Sequence, residues 1–301
     1  MSARAASYTP AKRKSSLREQ LASRSFGTTI QRLVIYAILI AASIAFLFPL
    51  VWMLSTSLKI KSQVMAMPPK LIPDPIRWAN YPDALNSPNF PFLILLKNTL
   101  TYTLLSTTGV LLSCPLAAYA FSRLRWPGRD LVFLATLATM MIPGTVTLIP
   151  TFIIFRSLGW TGSYLPLIVP AFFGGAFYIF LLRQFFMSIP MELSEAAVVD
   201  GASHFTIMTR IVLPLAKAAI ATVALFEFLA CWNDFMGPLI YVTNEKLYTL
   251  SLGLYAFRER WELRYDLMMA AGLVVTGPIL ILFFFTQRTF IEGITLTGIK
   301  G

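Results

Sequence analysis

Charge is what this chain has least of. Asp, Glu, Lys and Arg make up 13% of its 301 residues, about half the share of an ordinary soluble domain. So little polar surface cannot coat a water-soluble globule of this length, and the apolar excess must face another solvent. Histidine occurs once, at His204, and cysteine twice, at Cys114 and Cys231. One histidine builds neither a metal site nor a general-base system. Two cysteines set within apolar runs make no disulfide framework and no metal cluster; they read as small buried hydrophobes. The acids are few and scattered, which leaves an intramembrane enzyme without paired aspartates or a serine beside its base. The phosphate-binding pattern G-x-x-x-x-G-K-S/T is missing too. No catalytic residue, metal site or cofactor in the chain itself is expected.

What is present is apolar length and positive charge. Hydrophobic residues make up 56% of the chain and the mean hydropathy is +0.68. The formal net charge is +11. Arg4, Lys12, Arg13, Lys14, Arg18, Arg24 and Arg32 precede the first apolar run, against the single acid Glu19. No aromatic stacking residues interleave with them, so a nucleic-acid arm is not indicated. A basic tail before an apolar segment marks the cytoplasmic side of a membrane.

A helix needs about 20 apolar residues to cross the hydrocarbon. Six segments qualify, at about 33–56, 98–121, 131–154, 164–186, 211–233 and 267–287. The first runs well past the small residues Ala41, Ala42 and Ser43, too far for a cleaved signal of about 7–15 apolar residues. The fifth is the weakest, because Lys217 and Glu227 lie within it. The sequence thus predicts an all-α integral membrane protein, with residues 1–31 a flexible basic tail and residues 32–301 the membrane domain. An even number of spans puts both termini in the cytoplasm. The short loop carrying Arg123, Arg125 and Arg129 then lies inside, as do Arg183, Arg210 and Arg288. The proline-rich segment 59–97 and the segment 235–266 lie outside. Pro115, Pro143, Pro150, Pro166, Pro170, Gly174, Gly175 and Pro278 threaten to bend the spans, which suits helices around a solvated path.

The segment between the fourth and fifth spans carries the most information. Pro190 suits the start of a helix, with Glu192 in its first turn against the positive dipole end. Gly201 suits the left-handed stop, and Ser203 can begin a second short helix. The plainer reading of such a segment is an amphipathic loop resting on lipid headgroups. However, Glu195-Ala196-Ala197, then Asp200-Gly201, then Ile211-x-Leu213-Pro214 resembles the EAA loop of ABC-importer permeases: E-A-A, then G, nine residues, then I-x-L-P. Phe180 to Pro190, Trp232-Asn233-Asp234-Phe235, Pro238-Leu239 and the terminal stretch Gly293 to Gly301 resemble the carbohydrate (maltose-type) branch of that family. The resemblance covers about residues 30–301.

That resemblance implies the shorter six-span subunit of a heteromeric sugar importer in a bacterial or archaeal plasma membrane. Its partners would be a second permease, a dimeric ATP-binding subunit holding ATP and Mg, and an extracytoplasmic sugar-binding protein. Residues 190–201 would form a coupling helix. Glu195 would anchor the ATPase, Ala196 and Ala197 would permit close packing, and Gly201 would make the turn beside Asp200. Ile211, Leu213 and Pro214 would set the start of the fifth span.

The path across the membrane is read from the fifth span. Glu227, Cys231 and Asp234 are spaced to share one helix face. A mid-span acid is costly unless it meets water or a polar partner. Glu227, Trp232, Asn233 and Asp234 are therefore candidates for lining the path; the alternative is that Glu227 pairs with another helix purely for structure. A secondary transporter or channel without ATPase subunits is the rival function, although no inverted repeat is evident.

Overall fold

The computed structural model describes residues 17–88, 90–259 and 264–298. Arg4, Lys12, Arg13 and Lys14 of the basic tail, and the last three residues of the terminal stretch, lie outside the described residues. Among the described residues every regular element is helical, with no strand.

The chain divides into two units, residues 1–53 and 54–301. The first holds most of α1 (Leu17–Ser57), which contains Pro49 without breaking. Residues 17–31, expected as a flexible tail, are already helical. Leu17, Arg18, Glu19, Gln20, Leu21 and Ala22 are all good helix formers, so the helix of the first span extends backward through them.

In the second unit α2 (Phe92–Arg123) is central. It packs against α5 (Ala176–Ser188), α7 (Lys217–Trp232) and the 3-10 segment Val169–Phe173. One apolar cluster joins Val110, Cys114 and Tyr119 of α2 to Leu182 and Phe186 of α5 and to Val212 and Val223. A second joins Phe90 and Leu95 to Trp232, to Leu250 of α8 (Leu250–Glu259), and to Ala270 and Val275 of α9 (Tyr265–Gly298). The buried stripe of α2 is unusually polar, with Asn98, Thr99, Thr103, Ser106 and Arg123 inside. In lipid, apolar side chains gain little by leaving the solvent, so hydrogen bonds between helices matter more, each averaging about 0.6 kcal/mol.

Among the described residues four helical stretches are long and apolar enough to cross a membrane: Gln31–Ser57, Phe92–Arg123, Leu165–Ser188 and Tyr265–Gln287. Two bent pairs raise the number to as many as six. The segment expected as a straight third span is one of them. It divides into α3 (Arg129–Thr139) and α4 (Gly144–Ser157), bent by 97°. Pro143 lacks an amide proton and disfavours helix in the residue before it, so the chain leaves the helix at Met140 and restarts at Gly144. The second pair is His204–Leu215 with α7, bent by 80° at Ala216. Other breakers behave differently. Pro115, Pro150 and Pro278 sit inside unbroken helices, whereas Gly174, at φ +91°, and Gly175 interrupt the fourth span before α5.

Candidate functional site

The loop after α5 folds as two short helices around a tight turn. The first, α6 (Glu192–Val199), begins two residues after Pro190 and keeps Glu192 and Glu195 in its first turn. Gly201 adopts φ +81°, a conformation that costs any side-chain-bearing residue energy. Its turn is closed by bonds from the Gly201 and Ala202 amides to the carbonyls of Val198 and Ala197. Ser203 then caps the next helix, its Oγ accepting the Thr206 amide proton at 3.2 Å. A π-helical turn follows at Met208–Val212. Directly before Leu213-Pro214, that wider turn moves a carbonyl from beneath the proline ring.

The candidate coupling residues separate into a tip and a base. Glu195, Ala196, Asp200 and Gly201 are exposed at the tip and Ala197 is half-buried. The tip also shows Leu193, Val198, Val199 (87% exposed) and Phe205 (68% exposed); of α6 only Ser194 is buried. Ile211 and Leu213 form the base, packed on the first core cluster, and Pro214 beside them is exposed.

Arg123 lies behind this loop, at the end of α2, and the sequence shows it only as loop charge. It is 6% exposed. Its Nη2 donates to the carbonyls of Phe186 at 2.5 Å and Ile189 at 2.7 Å, and Nη1 reaches the Met191 sulfur at 3.2 Å. The guanidinium thus joins the Ile189 amide on the Phe186 carbonyl, adds a bond to the Ile189 carbonyl just past the end of α5, and ties the start of the loop to α2. A cavity of about 310 Å³ opens between Tyr119 and Arg123 on one side and Met191, Ser194, Glu195 and Val198 on the other. The one sequence signal for Arg123 is its place at the edge of an otherwise charge-free stretch.

Glu227 of α7 and Asp234, two residues past its end, are both held by α2; the helix stops at Trp232, so Asp234 does not continue the helix face that its spacing from Glu227 and Cys231 predicts. Glu227 accepts hydrogen bonds from Ser106 Oγ at 2.7 Å and from the Cys231 thiol at 3.2 Å. Asp234 accepts from the Tyr102 hydroxyl at 3.0 Å and from the Gly237 amide at 2.9 Å. A Cβ at Gly237 would collide with that carboxylate and with Leu167, so glycine is what lets the chain pass. Asn233 is exposed and donates to the Leu229 carbonyl at 2.8 Å. Trp232 differs from the other three path candidates. It is 2% exposed, stacks on Phe228 and donates from Nε1 to the Val275 carbonyl of α9. No group of His, Cys, Asp and Glu among the described residues could hold a metal ion.

Residues 109–294, which contain the loop and both acids, match the binding-protein-dependent transport system inner membrane component. The chain belongs to that family. It is 31% identical over 274 residues to the inner membrane ABC transporter permease YcjP of Escherichia coli K12, covering 91% of this chain and 98% of that one. To the trehalose/maltose transport system permease MalG of Thermococcus litoralis it is 32% identical, covering 89% and 96%. A chain of a bacterial ABC transporter involved in import of the acidic polysaccharide alginate superposes with a TM-score of 0.76 at 24% identity, covering 93% of this chain and 99% of that one. This permease is thus an inner-membrane transport component, and the family decides against a secondary transporter or a simple channel.

Proposed function

We propose that this permease carries a sugar or sugar-like solute inward, forming the path with a second permease and driven by a dimeric ATP-binding subunit. Solute arrives on an extracytoplasmic binding protein, and ATP and Mg are held by the ATPase alone. The support for sugar is chemical consistency among relatives, whose names include arabinooligosaccharide, trehalose/maltose and diacetylchitobiose systems.

Six spans follow if each bent pair is one crossing. Residues 32–301 are then the transport domain, residues 1–31 a basic cytoplasmic segment, and both termini are cytoplasmic. The observation that carries the coupling role is the tip of the 192–201 loop. A short helix displays Glu195 beside small and apolar side chains, on a turn only glycine makes cheaply, with almost nothing of its own chain behind it. Glu195 anchors the ATPase, and Ala196 and Ala197 allow close approach. Asp200 and Gly201 shape the turn, while Ile211, Leu213 and Pro214 seat it on the fifth span. Glu227, Asn233 and Asp234 border the path, with Trp232 behind them as packing that fixes their orientation.

Co-purification tests this reading. An ATPase should accompany the wild-type permease from the membrane and be lost on Glu195→Arg. Solute uptake by a permease that retains no ATPase would overturn it.

A further inference from the structure

α2 makes polar contacts along its whole length. Near its start Asn98 donates to the carbonyls of Lys246 at 2.8 Å and Tyr248 at 2.9 Å, and Thr99 Oγ1 accepts the Leu250 amide at 2.8 Å. One turn on, Tyr102 holds Asp234, and the next turn brings Ser106 to Glu227. At Gly109 a Cβ would lie 2.7 Å from the Phe172 ring, so the fourth span rests directly on the helix backbone. Ser113 donates to the Ala171 carbonyl at 2.9 Å. The last residue is Arg123, clamping the end of α5. Positions 98, 102, 106, 109 and 113 advance by helical repeats and share one face. From Asn98 to Arg123 this face spans about 38 Å at 1.5 Å per residue.

The other two elements that meet the loop are jointed. The covalent route into α7 passes a π-helical turn and then the 80° bend at Ala216. α5 is cut from the rest of the fourth span at Gly174 and Gly175. Among the described residues only α2 is continuous as a helix from the loop to the 244–251 segment, even across Pro115. A joint absorbs displacement, whereas a continuous helix passes it on.

We propose that α2 is the rod through which the loop and the acids Glu227 and Asp234 sense one another, and that Arg123 is the positioning residue fastening the loop to it. The inference rests on the coupling role proposed above and adds the route. It is tested in the complete transporter in proteoliposomes, reading ATP hydrolysis with and without solute-loaded binding protein, and solute moved per ATP. Arg123→Gln should leave the ATPase bound and basal hydrolysis unchanged. Stimulation by loaded binding protein should fall about tenfold, within the range usual for coupling between sites, with its half-saturating concentration unchanged. Arg123→Lys keeps a cation that can donate to the same carbonyls and should recover most of the stimulation. Asn98→Leu, which cuts the far end without touching the loop, should reproduce the defect. Normal stimulation in Arg123→Gln or Asn98→Leu overturns the proposal. Equal defects in the Gln and Lys variants, or loss of the ATPase from Arg123→Gln, also overturn it, because Arg123 then only shapes the docking surface. A wild-type permease that brings no ATPase overturns the coupling reading itself, and this route with it.

Discussion

Two sets of acids divide the molecule into a part that is finished and a part that is not. Glu227 and Asp234 each accept two hydrogen bonds from their own chain, and α2 supplies one to each. Glu192 and Glu195 stand exposed on a helix that buries one serine, and Asp200 stands exposed just past its end. An acid inside a bilayer must be satisfied before the chain is stable there, so its partners fold with it. An acid in water can wait for a partner from outside. The same residue type thus reports internal architecture in one place and, on the coupling role proposed above, an assembly surface in the other.

The largest effect should come from the unfinished side. Glu195→Arg reverses an exposed charge and should leave the melting temperature of the isolated permease nearly unchanged, as surface substitutions usually do. Co-purified ATPase and uptake should both fall about a hundredfold, or about 2.7 kcal/mol, the lower part of the range for hot spots at interfaces. Unchanged uptake would remove the distinction. Next come the two acids held by α2. Glu227→Gln and Asp234→Asn keep an acceptor oxygen and the shape, so assembly should persist. Uptake should drop about tenfold if the carboxylates border the path, the scale of one charge-assisted hydrogen bond. Normal uptake, with assembly confirmed, would make the acids structural only.

Smaller effects test the packing beneath both. Gly109→Ala pushes a methyl group into the Phe172 ring and should cost about 1–3 kcal/mol, as overpacking does, read as a lower unfolding midpoint in detergent. Smallest is Ser203→Ala. Losing the bond to the Thr206 amide should cost about 1 kcal/mol, detected as faster amide exchange at residues 204–207 with global stability hardly changed.

Much of this architecture is legible in the sequence because lipid imposes a length. The runs near 98–121 and 267–287 could hardly be anything else, and both lie within long helices. The pairing of Glu227 with another helix was one of two readings left open, and its bond to Ser106 gives that pairing a partner. Which breakers break is not legible. Pro143 ends a helix and Pro115 does not, because the outcome depends on whether neighbours can satisfy the freed carbonyl. Arg123 was invisible for a related reason. A cation at a span's edge looks like topology until the chain ends that need it are seen to meet it. For Trp232 the sequence shows only an aromatic between Glu227 and Asp234; that its indole is buried and donates to α9 depends on a carbonyl 43 residues away along the chain.

The apolar tip also sets a limit on how this chain can be made. Leu193, Val198, Val199 and Phe205 stand in the open, and exposed apolar side chains are what quality-control proteases recognise. On the coupling role proposed above, a copy synthesised in excess of the ATPase would carry a mark for disposal that assembly hides. Its half-life in a pulse-chase should therefore lengthen when the ATPase is co-expressed, making the loop a gauge of subunit balance as well as a grip.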